Sequence, residues 1–262
     1  DNNLGDTIGD DQDILVSRST DDGLSWSVPT SLNSNAASDS GDDFAPSIAA
    51  DDYGNWIAVW HSDDGLGGST SWDNDILVSR STDAGLTWSP PVPLDANATS
   101  DSSDDRSPKI SYGGSGAWIA TWQSNTTLNR TIGGEGDILY SRSTNAGLTW
   151  SAPSALNSDA ATDDVLDFSP TIAPDGAGNW VATWHRDQSD QHAMLASSMD
   201  GGLSWSSPVQ LAPSGFIFVY APAPSVAADG FGNWGVAWST DDTLGGIASF
   251  NTRDIAFARG GI

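Results

Sequence analysis

An eight-residue segment recurs four times in this 262-residue chain and limits its architecture more than any other feature. The segment reads Ser-x-Asp-x-Gly-x-x-Trp, and its copies end at Trp26, Trp88, Trp150 and Trp205. Two further segments, Gly-x-Trp-x-x-x-Trp and Asp-Ile-x-x-x-Arg, also recur four times each. Most copies lie 62 residues apart, which indicates duplication of a unit of that length. Units of this size form solenoids or propellers.

Each unit contains four strand signals separated by turn residues. In the first complete unit we predict strand A at Pro46–Ala50, strand B at Trp56–His61, strand C at Asp75–Ser81 and strand D at Leu86–Val92. Strand B is apolar on both faces, which is typical of a strand buried between two layers. Repeats of four antiparallel strands are typical of β-propeller blades, so we predict an all-β propeller of about four blades.

The sequence reads as one propeller domain over residues 1–262. Its N-terminal strands are expected either to complete the ring or to extend it. Because unpaired edge strands attract further strands, a homo-oligomer formed by strand exchange is an open alternative. The predicted repeats cover residues 46–107, 108–169 and 170–223, with partial repeats at 1–45 and 224–262.

The composition excludes several classes of partner. The 35 acidic residues outnumber the 9 basic ones and give a net charge of −26. Nucleic-acid binding depends on Lys and Arg that neutralise phosphates, so we expect no nucleic-acid partner. The same charge disfavours an anionic membrane surface, and no apolar run approaches the roughly 18 residues of a membrane-spanning helix. The absence of cysteine excludes disulfides and thiolate metal sites.

The eight-residue segment is best explained as a structural turn. Its Asp can accept backbone N–H bonds within the turn, its Gly supplies a positive φ, and its Trp packs the turn against the strands. One copy has Asn in place of Asp, and an amide oxygen accepts the same bonds, which argues against a catalytic carboxylate. The predicted turn residues are Asp21, Gly23, Trp26, Asp83, Gly85, Trp88, Asn145, Gly147, Trp150, Asp200, Gly202 and Trp205.

A known family carries repeats like these. The segments Arg18–Trp26 and Phe44–Asp51 resemble the Asp-box, or bacterial neuraminidase repeat, of sialidases and secreted sialidase-like propellers. The resemblance extends over nearly the whole chain and implies a β-propeller fold. It is weakly specific for activity, because Asp-boxes lie on the rim opposite the sialidase active site.

Long acidic connections characterise one face of the predicted propeller. The D–A and B–C loops are long and share this face, which we call the long-loop face, whereas the A–B and C–D turns are short and lie opposite. Crowded carboxylates repel one another unless a cation or a proton neutralises them. Oxygen ligands suit Ca²⁺, although a solvated acidic rim explains the same residues. The candidate calcium ligands are Asp42, Asp43, Asp104, Asp105, Asp163 and Asp164.

The resemblance to sialidases implies a defined catalytic set. Such an enzyme uses three arginines, a Tyr nucleophile paired with Glu, and an Asp acid/base. Its first arginine normally lies in an Arg-Ile-Pro motif, which this sequence lacks, and Arg106-Ser-Pro-Lys-Ile110 is the nearest match. The weak catalytic candidates are Arg106, Arg186, Arg253, Glu135 and Tyr220, and nothing in the sequence pairs the last two.

These observations favour a binding protein over an enzyme. We predict a secreted propeller, extracellular or at a cell surface, that acts as a non-catalytic binding or surface-assembly module. A glycan bound at the long-loop face is the favoured ligand, by analogy with other propellers. An exo-acting glycoside hydrolase of the sialidase type is one alternative, and a structural subunit of an extracellular array or filament is another.

Overall fold

A computed structural model of the chain describes residues 8–66, 73–95, 98, 102–188, 190–211, 223–240 and 254–261. For residues 188, 190, 191, 240 and 254–261 it describes the backbone only. The described residues form β-strands and turns and contain no helix, so none could cross a membrane as a helix. The strands are β1 (Leu15–Val16), β2 (Thr30–Ser31), β3 (Asp43–Ala50), β4 (Trp56–Ser62), β5 (Asp75–Ser81), β6 (Val92–Pro93), β7 (Asp105–Tyr112), β8 (Trp118–Ser124), β9 (Asp137–Ser143), β10 (Ser154–Ala155), β11 (Leu166–Pro174), β12 (Trp180–Gln188), β13 (Asp190–Ser198), β14 (Val209–Gln210), β15 (Ser225–Ala228), β16 (Asn233–Thr240) and β17 (Asp254–Gly261).

The strands form antiparallel sheets that follow one another along the chain. Three sheets have four strands each, in the orders β3-β4-β5-β6, β7-β8-β9-β10 and β11-β12-β13-β14. The first strands of successive sheets, β3, β7, β11 and β15, are neighbours in space. Ser47 accepts a hydrogen bond from the Ile110 N–H at 3.1 Å, and Ser111 donates to the Ile172 carbonyl at 3.1 Å. This arrangement confirms the predicted all-β propeller of four-stranded blades, with the first strand of each blade innermost.

The two ends of the chain add incomplete sheets. β1 pairs with β2 in a two-stranded sheet, whereas β15, β16 and β17 form a three-stranded one. Among the described strands, β17 pairs only with β16, and β2 pairs only with β1. Within this part of the chain the N-terminal strands therefore extend the row of blades, and they do not complete the last sheet.

The fourth strand of each blade is much shorter than the sequence predicts. We predicted a strand from Leu86 to Val92, but β6 contains only Val92 and Pro93. Leu86 lies in the turn, where its N–H donates to the Asp83 carboxylate at 3.1 Å. Pro90 and Pro91 lack the N–H that a longer ladder would need. The prediction of this strand was wrong because turn hydrogen bonds and proline outweigh the apolar pattern.

The inner strands begin earlier than predicted and are interrupted by a bulge. β3 starts at Asp43, and its register with β4 shifts between Phe44 and Ser47. Ala45, inside that bulge, has a φ of 51°. The same shift occurs in β7 and β11, and the residue inside each of these bulges again has a positive φ. Bulges of this kind re-aim side chains at the rim of a sheet.

Tryptophans of the second strands form the core between blades. Trp60, Trp118, Trp122, Trp180 and Trp184 are completely buried. They pack with aliphatic side chains of the adjacent blades in continuous hydrophobic clusters. Burial of such large apolar rings is the main force that holds blade against blade. Their burial agrees with the prediction that strand B is buried between two layers.

Candidate functional site

The long-loop face lies where the inner strands begin and the second strands end. Asp43 at the start of β3 pairs with Ser62 at the end of β4, and Ser62 pairs in turn with Asp75 at the start of β5. Corresponding residues pair in the same way in the next two blades. The acidic loops therefore open onto one face, as the turn lengths predict.

One row of side chains crosses this face from blade to blade, and we call it the inner arc. Each blade contributes the inner-strand residue just before the bulge and its partner on the second strand. Two of the pairs are aromatic, each with ring centroids 5.5 Å apart, stacked in one blade and edge-on in the other. The inner arc consists of Phe44, His61, Arg106, Gln123, Phe168 and His185.

Interactions between blades make the inner arc continuous. The Gln123 side chain accepts a hydrogen bond from the Ser169 N–H of the next blade at 3.0 Å. Arg106 is half exposed and pairs with Asp104 at 3.2 Å. Burial, assisted by the charge of Arg106, lowers the pKa of His61 to about 4. Burial also lowers the pKa of His185 to about 4, so both imidazoles are neutral at pH 7.

A second group of polar residues surrounds Arg186, and we call it the Arg186 cluster. The guanidinium is buried and reaches three carboxylates at once. It contacts Asp159 at 2.7 Å, Asp163 at 3.1 Å and Asp167 at 2.6 Å. Asn157 donates to Asp167 at 3.0 Å from the other side. Arg186 is therefore fully engaged within the protein and is not available to a substrate carboxylate.

Burial and charge oppose each other in this cluster. Burial raises the pKa of Asp167 to about 6 even though Arg186 opposes the shift. Burial likewise raises the pKa of Asp163, and Arg186 again opposes it. Burial would raise the pKa of Asp159 too, but hydrogen bonds and charge from Arg186 prevail and lower it. The same carboxylates hold the pKa of the guanidinium above its ordinary value. One cation thus compensates several buried carboxylates.

Side-chain hydrogen bonds close the repeated turns. In the first copy Trp26 is 65% exposed, so its ring does not pack that turn against the strands as we predicted. Asp83 accepts hydrogen bonds from the Thr87 N–H at 2.9 Å and from the Thr87 hydroxyl at 2.6 Å. Asn145 accepts a hydrogen bond from the Thr149 N–H at 3.0 Å, and its amide nitrogen donates to the Thr149 hydroxyl at 2.9 Å. Arg80 donates from Nε to the Ala146 carbonyl in the turn of the next blade. These turns join neighbouring blades on the face opposite the inner arc.

The predicted calcium ligands are divided among different surroundings. Asp42 accepts a hydrogen bond from the Gln12 N–H at 2.9 Å, and Asp104 accepts two from Asn74 besides its pair with Arg106. Asp164 is exposed, whereas Asp43 and Asp105 are buried. The assignment of these six residues as ligands stays a prediction.

Carboxylate oxygens close enough to share a cation form two groups among the described residues. One group is Asp159, Asp163 and Asp167, which Arg186 already occupies. The other group contains carboxylates at the junction between the N-terminal sheet and the first four-stranded blade. Its members are Asp11, Asp13 and Asp39, with candidate ligand atoms within 4.8 Å of one another.

The weak catalytic candidates do not converge in the part of the chain that the structure describes. Arg106 lies in the inner arc, and Arg186 is buried in its own cluster. Glu135 is exposed and accepts a hydrogen bond from the Gly134 N–H at 2.9 Å. Arg253 and Tyr220 lie outside the described residues. No triad of arginines forms among the residues described.

Sequence reasoning missed the carboxylates that open the third strand of each unit. Asp13 accepts a hydrogen bond from Asn33 at 2.8 Å, and Asp137 accepts one from Asn157 at 2.8 Å. These residues recur 124 positions apart, at twice the repeat length, so the spacing itself could have identified them. The sequence pattern assigns them to a strand, whereas their polar partners come from residues that follow the fourth strand.

Comparisons with known proteins agree with this geometry. No protein-family model and no curated protein matches the chain. Solved structures do match. A protein of unknown function from Dyadobacter fermentans aligns at a TM-score of 0.62 and 16% identity over 90% of this chain. The fold is that of a sialidase-like β-propeller.

Two glycan-directed enzymes share the propeller fold. A Hadza microbial sialidase aligns at a TM-score of 0.53 and 19% identity over 82% of this chain. A Penicillium chrysogenum α-L-arabinanase, solved with arabinobiose, aligns at a TM-score of 0.56 and 14% identity over 83%. The propeller spans 44%, 66% and 62% of the lengths of the sialidase, the Dyadobacter protein and the arabinanase. At these identities the likeness shows the fold alone.

Proposed function

We propose that this propeller is a secreted, non-catalytic glycan-binding module that holds its ligand along the inner arc. The observation that carries the proposal is the arc itself. Partly exposed Phe44 and Phe168 flank the half-exposed guanidinium of Arg106 on three consecutive inner strands. Apolar ring faces beside a few fixed polar groups are the usual composition of a small-ligand site.

The rigidity of the scaffold supports binding at this place. Each arc residue lies on a strand whose partner is fixed by ladder hydrogen bonds, and the bulge after it is the same in three blades. Ala45, Ser107 and Ser169 take positive φ values inside these bulges. Non-glycine residues in that conformation are uncommon and concentrate at ligand-binding and catalytic sites. A site on strands is also held more rigidly than one on loops.

The charge distribution favours a neutral sugar chain over an acidic one. Arg186, the most buried arginine of the described chain, is bound by three carboxylates. Arg106 is already paired with Asp104. A sialic acid carboxylate would therefore meet many negative charges and few free guanidinium groups. This arrangement supports a non-catalytic glycan-binding module more than it supports an exo-sialidase.

Glycan-array binding by the purified chain tests the proposal. We expect saturable binding to neutral oligosaccharides, with Phe44→Ala and Phe168→Ala each weakening it by about tenfold or more. Phe231→Ala is the matched control, because Phe231 is 90% exposed in a short turn on the opposite face. Release of fluorophore from sialosides or arabinofuranosides that is lost in Arg106→Ala would support the hydrolase instead. A blank array with concentration-dependent assembly would favour a structural subunit.

A further inference from the structure

The junctions between blades carry a repeated set of carboxylates and amides. The set has four positions. An Asp lies at or just before the third strand of one blade, and an Asn or Asp follows the fourth strand of that blade. One further Asp lies in the loop that leads to the next blade, and another lies at the start of the next inner strand. We compare the first junction, between β2 and β3, with the third, between β10 and β11. The first junction contains Asp13, Asn33, Asp39, Asp43 and Ser62, and the third contains Asp137, Asn157, Asp163, Asp167 and Arg186.

The two junctions differ most at one position of the repeat. Ser62 pairs with Asp43 in the β3–β4 ladder, and Arg186 pairs with Asp167 in the β11–β12 ladder, so Ser62 and Arg186 are equivalent. In the third junction the guanidinium donates to both oxygens of Asp167, at 2.8 and 2.6 Å. A serine hydroxyl brings no positive charge. The first junction therefore keeps its carboxylates but lacks the cation that the third one has.

The unpaired carboxylate oxygens of Asp43 indicate that the first junction lacks a compensating positive charge. Asp43 is only 5% exposed, and neither of its carboxylate oxygens has a hydrogen-bond partner among the residues that the structure describes. The Ser62 hydroxyl and the Trp60 indole lie beside it, but neither donates in hydrogen-bonding geometry. The equivalent carboxylate, Asp167, is held by three hydrogen bonds. A buried carboxylate left without partners is costly unless a cation or a proton compensates it.

Further oxygens of the first junction are unpartnered in the same way. One carboxylate oxygen each of Asp11, Asp13 and Asp39 is buried without a hydrogen bond among the described residues, as is the amide oxygen of Asn35. None of these residues forms an ion pair with any residue that the structure describes.

We propose that the first junction binds one Ca²⁺ ion through Asp11, Asp13 and Asp39, whose oxygens lie within 4.8 Å of one another, with the buried Asp43 beside them. The Arg186 guanidinium takes the place of such an ion in the third junction. Ca²⁺ accepts six to eight oxygen ligands in flexible geometry, and clustered carboxylates with an amide oxygen are its usual protein donors. The ion would tie the N-terminal sheet to the first complete blade. This inference is independent of the proposed glycan binding.

Replacement of Ser62 by arginine, the residue at the equivalent position 186, tests the proposal directly. The full chain is titrated with CaCl₂ by calorimetry after treatment with a chelator, and with Tb³⁺, whose emission the nearby Trp60 should sensitise. We expect one site in the wild type and none at this junction in Ser62→Arg. Saturating Ca²⁺, about 100 times its Kd, should raise the wild-type Tm by about 5–10 °C and leave the Tm of Ser62→Arg unchanged.

Asp→Asn variants distinguish the carboxylates that bind Ca²⁺ from those that do not. Asp43→Asn and Asp39→Asn should each weaken Ca²⁺ binding by about tenfold or more. Asp52→Asn is the matched control, because Asp52 is exposed in the short A–B turn on the opposite face. Asp39 is partly exposed, so Asp39→Asn keeps the test valid if Asp43→Asn fails to fold. Conversely, Arg186→Ser should create a second Ca²⁺ site at the third junction.

Two results would overturn the inference. The first is a wild-type chain that shows no saturable Ca²⁺ binding up to about 10 mM, about ten times the weakest Kd of extracellular calcium modules. The second is Ca²⁺ binding that Ser62→Arg and Asp39→Asn leave unchanged, because the ion would then bind elsewhere on the acidic face. Loss of binding in both variants, with Asp52→Asn unaffected, supports the site.

Discussion

Arg186 binds Asp167 through two hydrogen bonds, from Nε at 2.8 Å and from a terminal nitrogen at 2.6 Å, and the carboxylate is completely buried. This pair joins the start of an inner strand to the end of the second strand in the same blade. The guanidinium also reaches Asp159 and Asp163 in the loop before that strand. The pair therefore fixes both the blade and the acidic loop that leads into it.

Removal of this arginine should strongly destabilise the propeller. Arg186→Ala leaves several buried carboxylates without a cation, and we expect a loss of about 3–5 kcal/mol in the free energy of unfolding. Urea denaturation without divalent cations measures it. Arg106→Ala is the control, because its pair with Asp104 is half exposed and worth about 0–1 kcal/mol. Equal losses in the two variants would contradict this account of the cluster.

The hydrogen bond from Arg80 to the next blade should stabilise the junction modestly. Arg80→Met keeps most of the side-chain stem but removes the Nε donor to the Ala146 carbonyl. We expect a loss of about 1 kcal/mol, with a larger loss in Arg80→Ala because the packing of the stem is lost too. Chemical denaturation of the three proteins resolves the difference. If Arg80→Met unfolds at the same denaturant midpoint as the wild type, this hydrogen bond does not contribute to stability.

The turn carboxylates should tolerate an amide but not an alanine. Asp83→Asn can reproduce the bonds that Asn145 makes with Thr149, whereas Asp83→Ala leaves the Thr87 N–H without its acceptor. We therefore expect a Tm close to wild type for Asn and a clear decrease for Ala. Hydrogen bonds from Thr87 hold the pKa of Asp83 well below its usual range. Its contribution should be present at neutral pH and decline only in strong acid.

Asp137 should make the propeller less stable as the pH rises. Burial and neighbouring carboxylates raise its pKa to about 6 in the folded chain, above the value of about 4 for an unfolded aspartate. The folded state thus binds the proton more tightly, so this stabilisation is full below about pH 4 and is lost as the pH rises through about 6.

Comparison of Asp137→Asn with the wild type measures that contribution. The amide should accept the same bond from Asn157 without becoming charged. After allowance for screening by solvent, we expect the variant to gain about 1–2 kcal/mol relative to wild type between pH 5 and 8. Asp164→Asn, an exposed change in the same acidic region, is the control. A pH-independent difference between Asp137→Asn and wild type would refute the assignment.

Close packing between blades should make Gly113 intolerant of a side chain. A Cβ there would overlap the ring of Trp180, which is completely buried. We expect Gly113→Ala to cost about 1–3 kcal/mol by overpacking. At Gly134 the nearest atom to an added Cβ is a Thr127 methyl at 3.5 Å, so Gly134→Ala should be nearly neutral. Thermal unfolding of both variants gives the comparison.

The identity and order of the strands were predictable because each repeat carries the same sequence pattern for them. Trp56–Ser62 differs from its predicted bounds by one residue, and Asp75–Ser81 matches its prediction. The inner strand was predicted too short, because a bulge at Ala45 hides its first residues from a simple alternation. The fourth strand was predicted too long, because the turn hydrogen bonds of Asp83 extend into it.

The sequence by itself determined the all-β repeat and the face onto which the acidic loops open. These features depend on local patterns that each unit carries within itself. Only the tertiary structure decided which carboxylates share a junction and which of them have a cation. Asp13 lies just before β1 and Asp43 opens β3, 30 residues later, and packing of the first blade on the N-terminal sheet brings their charges together. Electrostatic compensation depends on distance in space. The different effects of Ser62 and Arg186 on their junction carboxylates are therefore visible only in the packed structure.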